Sequence, residues 1–380
     1  MDEYSRHRRF WRALQPVVCP WIVRRFRLDC EPVPVPAEGG MLLVANHVSA
    51  WDPLLIACAM GRHQIYYVAS EHILRDNLTG RLLRHFLAPI AKPKGGSSLD
   101  TVRKCLAHLK AGHFVCVFAE GEQSWDGRSI PVVRGTGSLV RSSGATLVTY
   151  RLEGAYLSAP RWGSGLRRGR VRGRVVGVYP PETAVKQKRE EINRLLDRDI
   201  RVDAWADQRR EAVAYKGKRP AEYLERLLYL CPGCGRVGSL ESRGDRLRCG
   251  CGLSLRFTET GFFDPPVPHA TLADWEDWQR GRLRQREFVR PAEDGALFSD
   301  PEAALIRVDD GHETALGSGE VRQYETSLRC AGRDFALREI TDMAMTRHDR
   351  LLFTHAGGYY QLRVRGRTNL RKYLEIWKEH

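Results

Sequence analysis

The chain carries a histidine and an aspartate five residues apart, in Asn46-His47-Val48-Ser49-Ala50-Trp51-Asp52. A neutral imidazole takes a proton from a hydroxyl near neutral pH, and a nearby carboxylate holds its tautomer and stabilises the imidazolium. His47 is therefore a candidate general base, with Asp52 as the residue that orients it. The alternative is that Asp52 only caps a helix and His47 is an ordinary loop residue.

The flanking residues indicate the elements that position this pair. Residues 41–45 are apolar and follow Gly39-Gly40, a pattern typical of a buried strand after a turn. Asp52-Pro53 then opens an apolar run at 54–60, as a capping residue followed by proline opens a helix. His47 is thus predicted where a strand ends and just before a helix begins, a common place for chemistry in α/β folds.

A second stretch has a similar setting. Residues 114–118 form another apolar run, and Ala119-Glu120-Gly121-Glu122-Gln123-Ser124 follows its end. An Asn-His-x4-Asp block followed later by a strand and Glu-Gly-x-x-Ser resembles the glycerolipid acyltransferase family, the 1-acylglycerol-3-phosphate acyltransferases and their relatives. The resemblance covers roughly residues 1–200. It includes Asn46, His47 and Asp52 in the first block, and Phe118, Glu120, Gly121 and Ser124 in the second.

Two departures from the family pattern concern the acceptor's phosphate. Ala119, Glu122 and Gln123 replace the family's proline, threonine and arginine, and residues 89–94 carry lysines where the family commonly has an arginine. The resemblance implies that the acceptor is bound by Asn46, Lys92, Lys94, Glu120, Gly121, Gln123 and Ser124. The positive charge lost at Gln123 is expected from Lys92, Lys94 and some of Arg134, Arg141 and Arg151.

The implied activity is O-acyl transfer in phospholipid biosynthesis. A fatty acyl group would move from a thioester, acyl-CoA or acyl-ACP, to the hydroxyl of a lysophospholipid-like acceptor, 1-acylglycerol-3-phosphate or a relative. No residue stands out as a covalent nucleophile, so direct attack on the thioester is expected, without a metal or redox cofactor in the chemistry. The alternative, favoured by the changes at Ala119 and Gln123, is a catalytically degenerate, membrane-bound lipid-binding scaffold.

The net charge and the hydropathy of the sequence limit the classes of binding partner. The formal net charge is +15 over 380 residues, so an anionic partner is expected. We expect an anionic membrane surface. Nucleic-acid binding by the basic surface and the cysteine-rich segment 231–251 is an alternative, although that segment lacks an obvious aromatic-basic surface for reading bases. No run of 18 or more apolar residues occurs, which predicts a chain that lies on a membrane or is soluble. The expected location is cytoplasmic, peripheral on the inner face of the cell membrane.

The first two segments are predicted as follows. Residues 1–38 form a membrane-interfacial amphipathic segment, in which Trp11, Trp21 and several arginines suit the headgroup boundary. Pro16 and Pro20 favour two short helices there, and a helix packed on the domain is the alternative. Residues 39–215 alternate strands and helices and predict the acyltransferase domain, an α/β domain with a central sheet flanked by helices. Within this domain, the six arginines of residues 161–174 are expected to face an anion. The domain is expected to end with a charged, exposed helix over 190–213.

Four cysteines downstream have the spacing of a metal site. Cys231-Pro-Gly-Cys234 and Cys249-Gly-Cys251 lie on either side of a short polar hairpin. Two close pairs, each with glycine, can enclose a tetrahedral structural zinc ion. A small zinc ribbon is therefore predicted over 220–260, and reduced thiols in a plain hairpin are the alternative. Reduced, buried thiols are also expected at Cys58, Cys105 and Cys116.

The rest of the chain is predicted to change character twice. Residues 261–296 are an aromatic helical connector. Residues 297–380 show seven short alternating runs and a final helix, which predicts a C-terminal antiparallel β-barrel-like domain with a terminal helix. Strand count and order give it a resemblance to pleckstrin-homology domains, whose ligand here the sequence does not indicate.

Overall fold

The computed structural model describes residues 3–70, 89–92, 99–267, 269–291, 294–309 and 312–380. The chain divides into two compact units: Met1–Arg161 with Gly165–Gly217, and Trp162–Ser164 with Lys218–His380. Lys94, one of the residues expected to bind the acceptor, lies outside the described residues.

The first unit begins with one long helix, α1, at Glu3–Phe26, and the prediction of two short helices is wrong. Pro16 and Pro20 lie inside this helix and are exposed. A proline ring on the solvent side leaves the freed carbonyl open to water. The opposite face is buried at His7, Trp11, Cys19, Ile22 and Phe26, and this packing stabilises the helix despite its prolines. No helix in the described ranges is apolar over a length sufficient to cross a bilayer.

The buried face of α1 is also covalently tied to the following helix, α2, at Asp52–Ala59. Cys19 and Cys58 form a disulfide, so the prediction of a reduced thiol at Cys58 is wrong. Cys105 and Cys116 are free and buried, as expected. The bond closes two segments that are 39 residues apart, a pairing that spacing alone does not reveal.

A seven-stranded mixed sheet forms the centre of the first unit, in the order β1-β7-β6-β2-β5-β3-β4. β2 is parallel to β5 and β6, β3 is parallel to β5, and β7 is antiparallel to β6 but parallel to β1. The carboxyl ends of β2, β5 and β6 therefore share one edge with the amino ends of β7 and β1. The strands are β1 Leu28–Cys30, β2 Met41–Ala45, β3 Ile65–Ser70, β4 Ile90–Lys92, β5 Phe114–Phe118, β6 Thr146–Glu153 and β7 Val171–Tyr179.

Helices cover this sheet. They are α3 Leu99–Lys110, α4 Gly135–Ser143, α5 Ala155–Ser158, α6 Pro181–Lys186, α7 Arg189–Ile200 and α8 Ala204–Arg210. The prediction of a single exposed helix over 190–213 is wrong, because the segment forms two helices and one face of α7 is buried. The chain breaks after Ile200, and Asp203 caps α8 by accepting from the backbone N–H groups of Trp205 and Ala206. Ile192, Leu196 and Ile200 bury one face of α7, because residues three to four apart share a face.

Several of the six arginines in the stretch 161–174 form ion pairs inside the first unit, and the expectation that the stretch faces an anion stays a prediction. Arg170 and Arg172 both pair with Glu211, and Arg174 pairs with Asp29. Arg167 is 3% exposed. Glu211 and Asp29, the acids paired with these arginines, are distant in the sequence. The composition of the stretch 161–174 alone therefore overstates how many of its arginines lack an ion-pair partner.

The described residues of the second unit form two antiparallel sheets and two α-helices. Its four-stranded sheet has the order β11-β10-β9-β8, with β8 Leu240–Arg243, β9 Arg246–Cys249, β10 Ser254–Phe257 and β11 Phe263–Asp264. Helix α9, Leu272–Arg284, follows with Trp275 buried. The predicted seven strands and final helix are confirmed, in the order β15-β14-β13-β12-β18-β17-β16. They are β12 Phe298–Asp309, β13 His312–Gln323, β14 Ser327–Cys330, β15 Arg333–Ala336, β16 Ile340–Thr346, β17 Arg350–His355, β18 Gly358–Val364 and α10 Arg371–Trp377.

Candidate active site

The loop after β2 is attached to both neighbouring strands. The Asn46 amide group donates to the carbonyl of Leu152 at 2.9 Å, and its oxygen accepts from the Leu152 N–H at 2.8 Å. The His47 N–H donates to Oε1 of Glu120 at 2.9 Å, and the His47 carbonyl accepts from the N–H of Ser124 at 2.9 Å. These bonds hold the loop at the carboxyl edge of the sheet, between the ends of β6 and β5.

The predicted pair is in contact. Nδ1 of His47 lies 2.9 Å from Oδ2 of Asp52. The same oxygen accepts from the N–H groups of Val48 at 2.7 Å and Ser49 at 2.9 Å. Because an ionised carboxylate only accepts hydrogen bonds, Nδ1 carries the proton and Nε2 has the lone pair. The His47 side chain keeps 18% of its surface exposed, so Nε2 is the atom available to a substrate hydroxyl.

Asp52 does not serve as the N-cap of α2, which corrects that interpretation. It is the first helical residue, Trp51 is the N-cap position, and Trp51 makes no side-chain capping bond. Asp52 is fully buried, and its Oδ1 has no hydrogen-bond partner in the described part of the chain. A buried, partly unsatisfied carboxylate is costly, and a positive charge on His47 offsets that cost. The geometry therefore favours an imidazolium at His47 during a proton transfer.

The ring of His47 stacks on Phe118 at the end of β5, with the ring centroids 4.3 Å apart and the planes 19° apart. Phe118 thus restricts the tilt of the imidazole while Asp52 restricts its rotation. Ser49, also inside the motif, is buried, and its hydroxyl accepts from the N–H of Trp51 at 3.0 Å. It has no base beside it among the described contacts, so it is not placed as a nucleophile.

Glu120 is a buried positioning residue. Its Oε1 accepts from His47 N–H, and its Oε2 accepts from the Ile130 N–H at 2.8 Å. Burial raises the pKa of Glu120 to about 8, although the two backbone hydrogen bonds act in the opposite direction. Both oxygens thus accept hydrogen bonds from the backbone, and Glu120 fixes the shape of the loop.

The remaining residues of the second block form a tight turn. Gly121 has φ +76° and bonds back to Phe118, a conformation that favours glycine. Ser124 is buried, and its hydroxyl accepts from the Gly127 N–H at 3.0 Å. The side chains of Asn46 and Ser124, predicted to bind the acceptor, are therefore turned inward onto backbone groups. Gln123 is half-buried at the turn.

A cation that the sequence did not assign to the site lies beside Gln123. Nη1 of Arg161 donates to the Gln123 carbonyl at 3.2 Å and lies 3.3 Å from Oε2 of Glu122. Its guanidinium carbon is 4.3 Å from the centre of the Trp125 ring, a cation–π distance. Arg161 thus adds a positive charge where Gln123 replaces the family's arginine. The sequence signals are its place in the arginine-rich stretch 161–174 and its position shortly after β6, a strand that ends at the same edge.

The other cations that were expected to face the acceptor lie at different places in the first unit. Lys92 ends β4, three strands from β2, and is half-buried at the same edge. Arg151 donates to the carbonyl of Asp199 at 2.9 Å, so its guanidinium is held at the start of the chain break after α7. Arg134 and Arg141 are exposed at the two ends of α4. Arg161 contacts Glu122 and Gln123 of the second block directly, which none of these four cations is shown to do.

The four cysteines in the second unit are close enough to share one ion. Their Sγ atoms lie within 4.8 Å of one another, and the Cys231–Cys251 and Cys234–Cys249 separations are both 3.7 Å. Four sulfurs bound to zinc at ~2.3 Å are about 3.8 Å apart in a tetrahedron. The donor set therefore fits a structural zinc site with no open position. The tight turns around it contain Gly235 and Gly252, both with positive φ.

The chain was compared with known proteins. Residues 29–153 match the family model Acyltransferase. The crystal structure of the 1-acyl-sn-glycerophosphate (LPA) acyltransferase PlsC from Thermotoga maritima is similar with a TM-score of 0.41 and 17% sequence identity, covering 51% of this chain and 76% of that one. No curated protein matches the sequence. The family match spans both blocks of the candidate site, from before Asn46 to beyond Ser124. Residues 29–153 are therefore an acyltransferase domain.

Proposed function

We propose that the protein is an O-acyltransferase of phospholipid biosynthesis. It would move a fatty acyl group from acyl-CoA or acyl-ACP to the hydroxyl of a lysophospholipid-like acceptor, 1-acylglycerol-3-phosphate or a relative. The observation that carries the proposal is the 2.9 Å contact between Nδ1 of His47 and Oδ2 of Asp52 at the carboxyl edge of the sheet. The resemblance of both sequence blocks to glycerolipid acyltransferases supports the acceptor class.

The reaction needs one proton transfer in each direction. Nε2 of His47 takes the proton of the acceptor hydroxyl, and Asp52 stabilises the imidazolium. The acceptor oxygen forms a bond to the thioester carbonyl carbon, and the carbon–sulfur bond then breaks. The imidazolium returns its proton to the departing thiolate. No covalent acyl-enzyme is needed, since Ser49 is buried and engaged with the backbone.

Positive charge near the second block supports an anionic acceptor. Arg161 is held at Gln123 and Glu122, and Lys92 ends a strand at the same edge. A guanidinium binds phosphate with two parallel hydrogen bonds, whereas an ammonium acts as a point charge. We therefore assign Arg161 as the principal cation facing the acceptor's head group, with Lys92 as a more distant one.

The exposed face of α1 supports attachment to an anionic membrane surface on its cytoplasmic side. Val17 is 72% exposed and Trp21 is 50% exposed, one helical turn apart. The ring centroids of Trp21 and Trp51 are 5.8 Å apart, and Trp51 belongs to the loop that carries His47. Trp11, expected at the membrane, is 3% exposed and donates to the Gly61 carbonyl, so it belongs to the core instead. Membrane contact is thus assigned to Val17 and Trp21.

The test is direct turnover with defined lipids. Purified protein is incubated with acyl-CoA or acyl-ACP and a set of lysophospholipids, and the acylated product is identified by mass spectrometry. Transfer by the wild type that His47→Ala loses supports the proposal. Binding of lipid without transfer from either donor would instead favour the catalytically degenerate scaffold.

A further inference from the structure

A second concave surface in the first unit is strongly basic. It is a cleft of about 640 Å³ that His47 does not line. Four cationic side chains and one carboxylate face it, together with three small apolar residues. The lining residues are Arg27, Arg168, Arg170, Glu211, Ala212, Val213, Ala214 and Lys216.

The topology places this cleft at the same edge of the sheet as His47. Arg27 directly precedes β1, and Arg168 and Arg170 directly precede β7. Because β7 is antiparallel to β6 and parallel to β1, these amino ends lie at the carboxyl edge of β2. β7 and β1 are two and three strands from β2, which corresponds to about 10 to 15 Å across the sheet. One extended substrate can therefore contact both places.

Three of the four cations of the cleft have no carboxylate partner among the described residues. Arg168 and Lys216 are directly opposite in an antiparallel bridge, with backbone hydrogen bonds of 2.8 and 2.9 Å. Like charges directly opposite each other are destabilising. Within the described ranges no carboxylate pairs with Arg27, Arg168 or Lys216, and Glu211 is shared by Arg170 and Arg172. Such an arrangement persists at a cost that an anion bound between the cations would offset.

The backbone under the cleft is rigidly packed. Tyr215 is buried, and its hydroxyl donates to the Arg170 carbonyl at 3.0 Å. A Cβ at Gly169 would lie 2.0 Å from the Tyr215 ring, so only glycine fits between the two cationic positions 168 and 170. Burial lowers the pKa of Arg25, and the nearby charge of Arg168 lowers it further.

We propose that this cleft binds the phosphate groups of a substrate whose reacting end lies at His47. The link to His47 rests on the proposed acyl transfer, whereas the phosphate chemistry follows from the cleft itself. Two sources carry such phosphate at a distance from the reacting atom: the coenzyme A part of the donor, and the head group of a phospholipid acceptor. Arg168 and Lys216 would be the main ligands.

The test is the affinity of the full chain for three probes, measured by calorimetry without turnover. The probes are inorganic pyrophosphate, coenzyme A without an acyl group, and a short-chain 1-acylglycerol-3-phosphate kept monomeric. Arg168→Ala with Lys216→Ala removes both cations and keeps the backbone bridge. Lys104→Ala with Arg194→Ala removes two exposed cations outside the cleft and is the matched control. Arg168→Lys with Lys216→Arg retains the charge.

Each cation lost is expected to weaken pyrophosphate binding about tenfold. The control and the charge-retaining variant should bind as the wild type does. A parallel loss for coenzyme A identifies the donor as the source, and a parallel loss for the lysolipid identifies the acceptor. Unchanged affinity of the double alanine variant for all three probes would overturn the proposal. His47→Ala should bind the three probes as the wild type does, because affinity is measured without turnover. The comparison of cleft variants therefore still tests the phosphate site if the proposed acyl transfer is not found.

Discussion

Oδ2 of Asp52 accepts three hydrogen bonds at once, from Nδ1 of His47 at 2.9 Å and from two backbone N–H groups. The two backbone bonds hold the carboxylate still, so the bond to His47 fixes the orientation of the imidazole. Five residues of sequence separate the pair, and the turn between them is held by the carboxylate itself. The dyad is therefore a small, locally folded unit at the end of β2.

His47→Ala is expected to lower acyl transfer about a hundred- to ten-thousandfold, because it removes the general base. Folding should be retained, since the His47 ring lies in a loop at the edge of the sheet and is partly exposed. Initial rates and melting temperature check this together. A variant that transfers acyl groups to any lysolipid at the wild-type rate would contradict the role of His47.

The matching change is Asp52→Asn, which keeps the size of the side chain and its ability to accept from Val48 and Ser49. It removes the charge that stabilises the imidazolium, so activity should fall while the melting temperature changes little. If activity and stability fell together, the structural role of Asp52 in the turn would account for the loss instead.

Arg161→Ala should raise the KM for a phosphate-bearing acceptor about tenfold, because it removes a guanidinium held beside the second block. Arg161→Lys should recover only part of this, since lysine cannot keep the stack on Trp125 and the bonds to Gln123 and Glu122 together. Arg103→Ala, at an exposed arginine paired with Asp100, is the control. Gln123→Arg should improve use of phosphate-bearing acceptors if the native acceptor lacks phosphate.

Glu120 predicts a pH dependence of stability. Its folded-state pKa, raised by burial to about 8, lies above the ordinary value of 4.5, so the native state binds the extra proton between these values. The stability conferred by protonated Glu120 is complete below pH 4.5 and is lost as the pH rises through about 8. Glu120→Gln should therefore show a shallower decline in melting temperature from pH 5 to 8.5. Glu190→Gln, at an exposed glutamate, should keep the wild-type slope.

Elemental analysis should find one zinc ion per chain, bound by Cys231, Cys234, Cys249 and Cys251. Cys249→Ser should lose the metal and destabilise the second unit by several kcal/mol, since metal binding and local folding are coupled, with about 10 kcal/mol or more at stake in small zinc modules. Cys330→Ala, at a buried cysteine elsewhere in that unit, should retain zinc. Protein purified without stoichiometric metal would contradict the site.

Val17→Ser with Trp21→Ser should weaken binding to anionic phospholipid vesicles about tenfold, because these are the two most exposed large apolar side chains of α1. Added salt should weaken the electrostatic part of binding but not the part due to Trp21. Val185→Ser with Val289→Ser removes two other exposed valines, each 51% exposed, as a control. If the first pair sediments with vesicles as the wild type does, α1 is only a packing helix.

Features that depend on residues close in the chain were predictable. The strands at 41–45 and 114–118, the loop with His47 and the turn with Gly121 follow from apolar runs bounded by glycine, proline and polar residues. The family match of residues 29–153 agrees with the two blocks read from the residues. The seven C-terminal strands also follow, because alternation of apolar and polar residues is a local property.

Other features depended on contacts between distant residues. α1 is continuous through two prolines because its opposite face is buried, and Cys58 is bonded because packing brings Cys19 to it. Arg161 contacts the Gln123 carbonyl, while Arg170 and Arg172 share the carboxylate of Glu211. Local composition shows how many charges and thiols a segment carries. Strand order and register decide which partner each one meets, and so which of them remain available to a substrate.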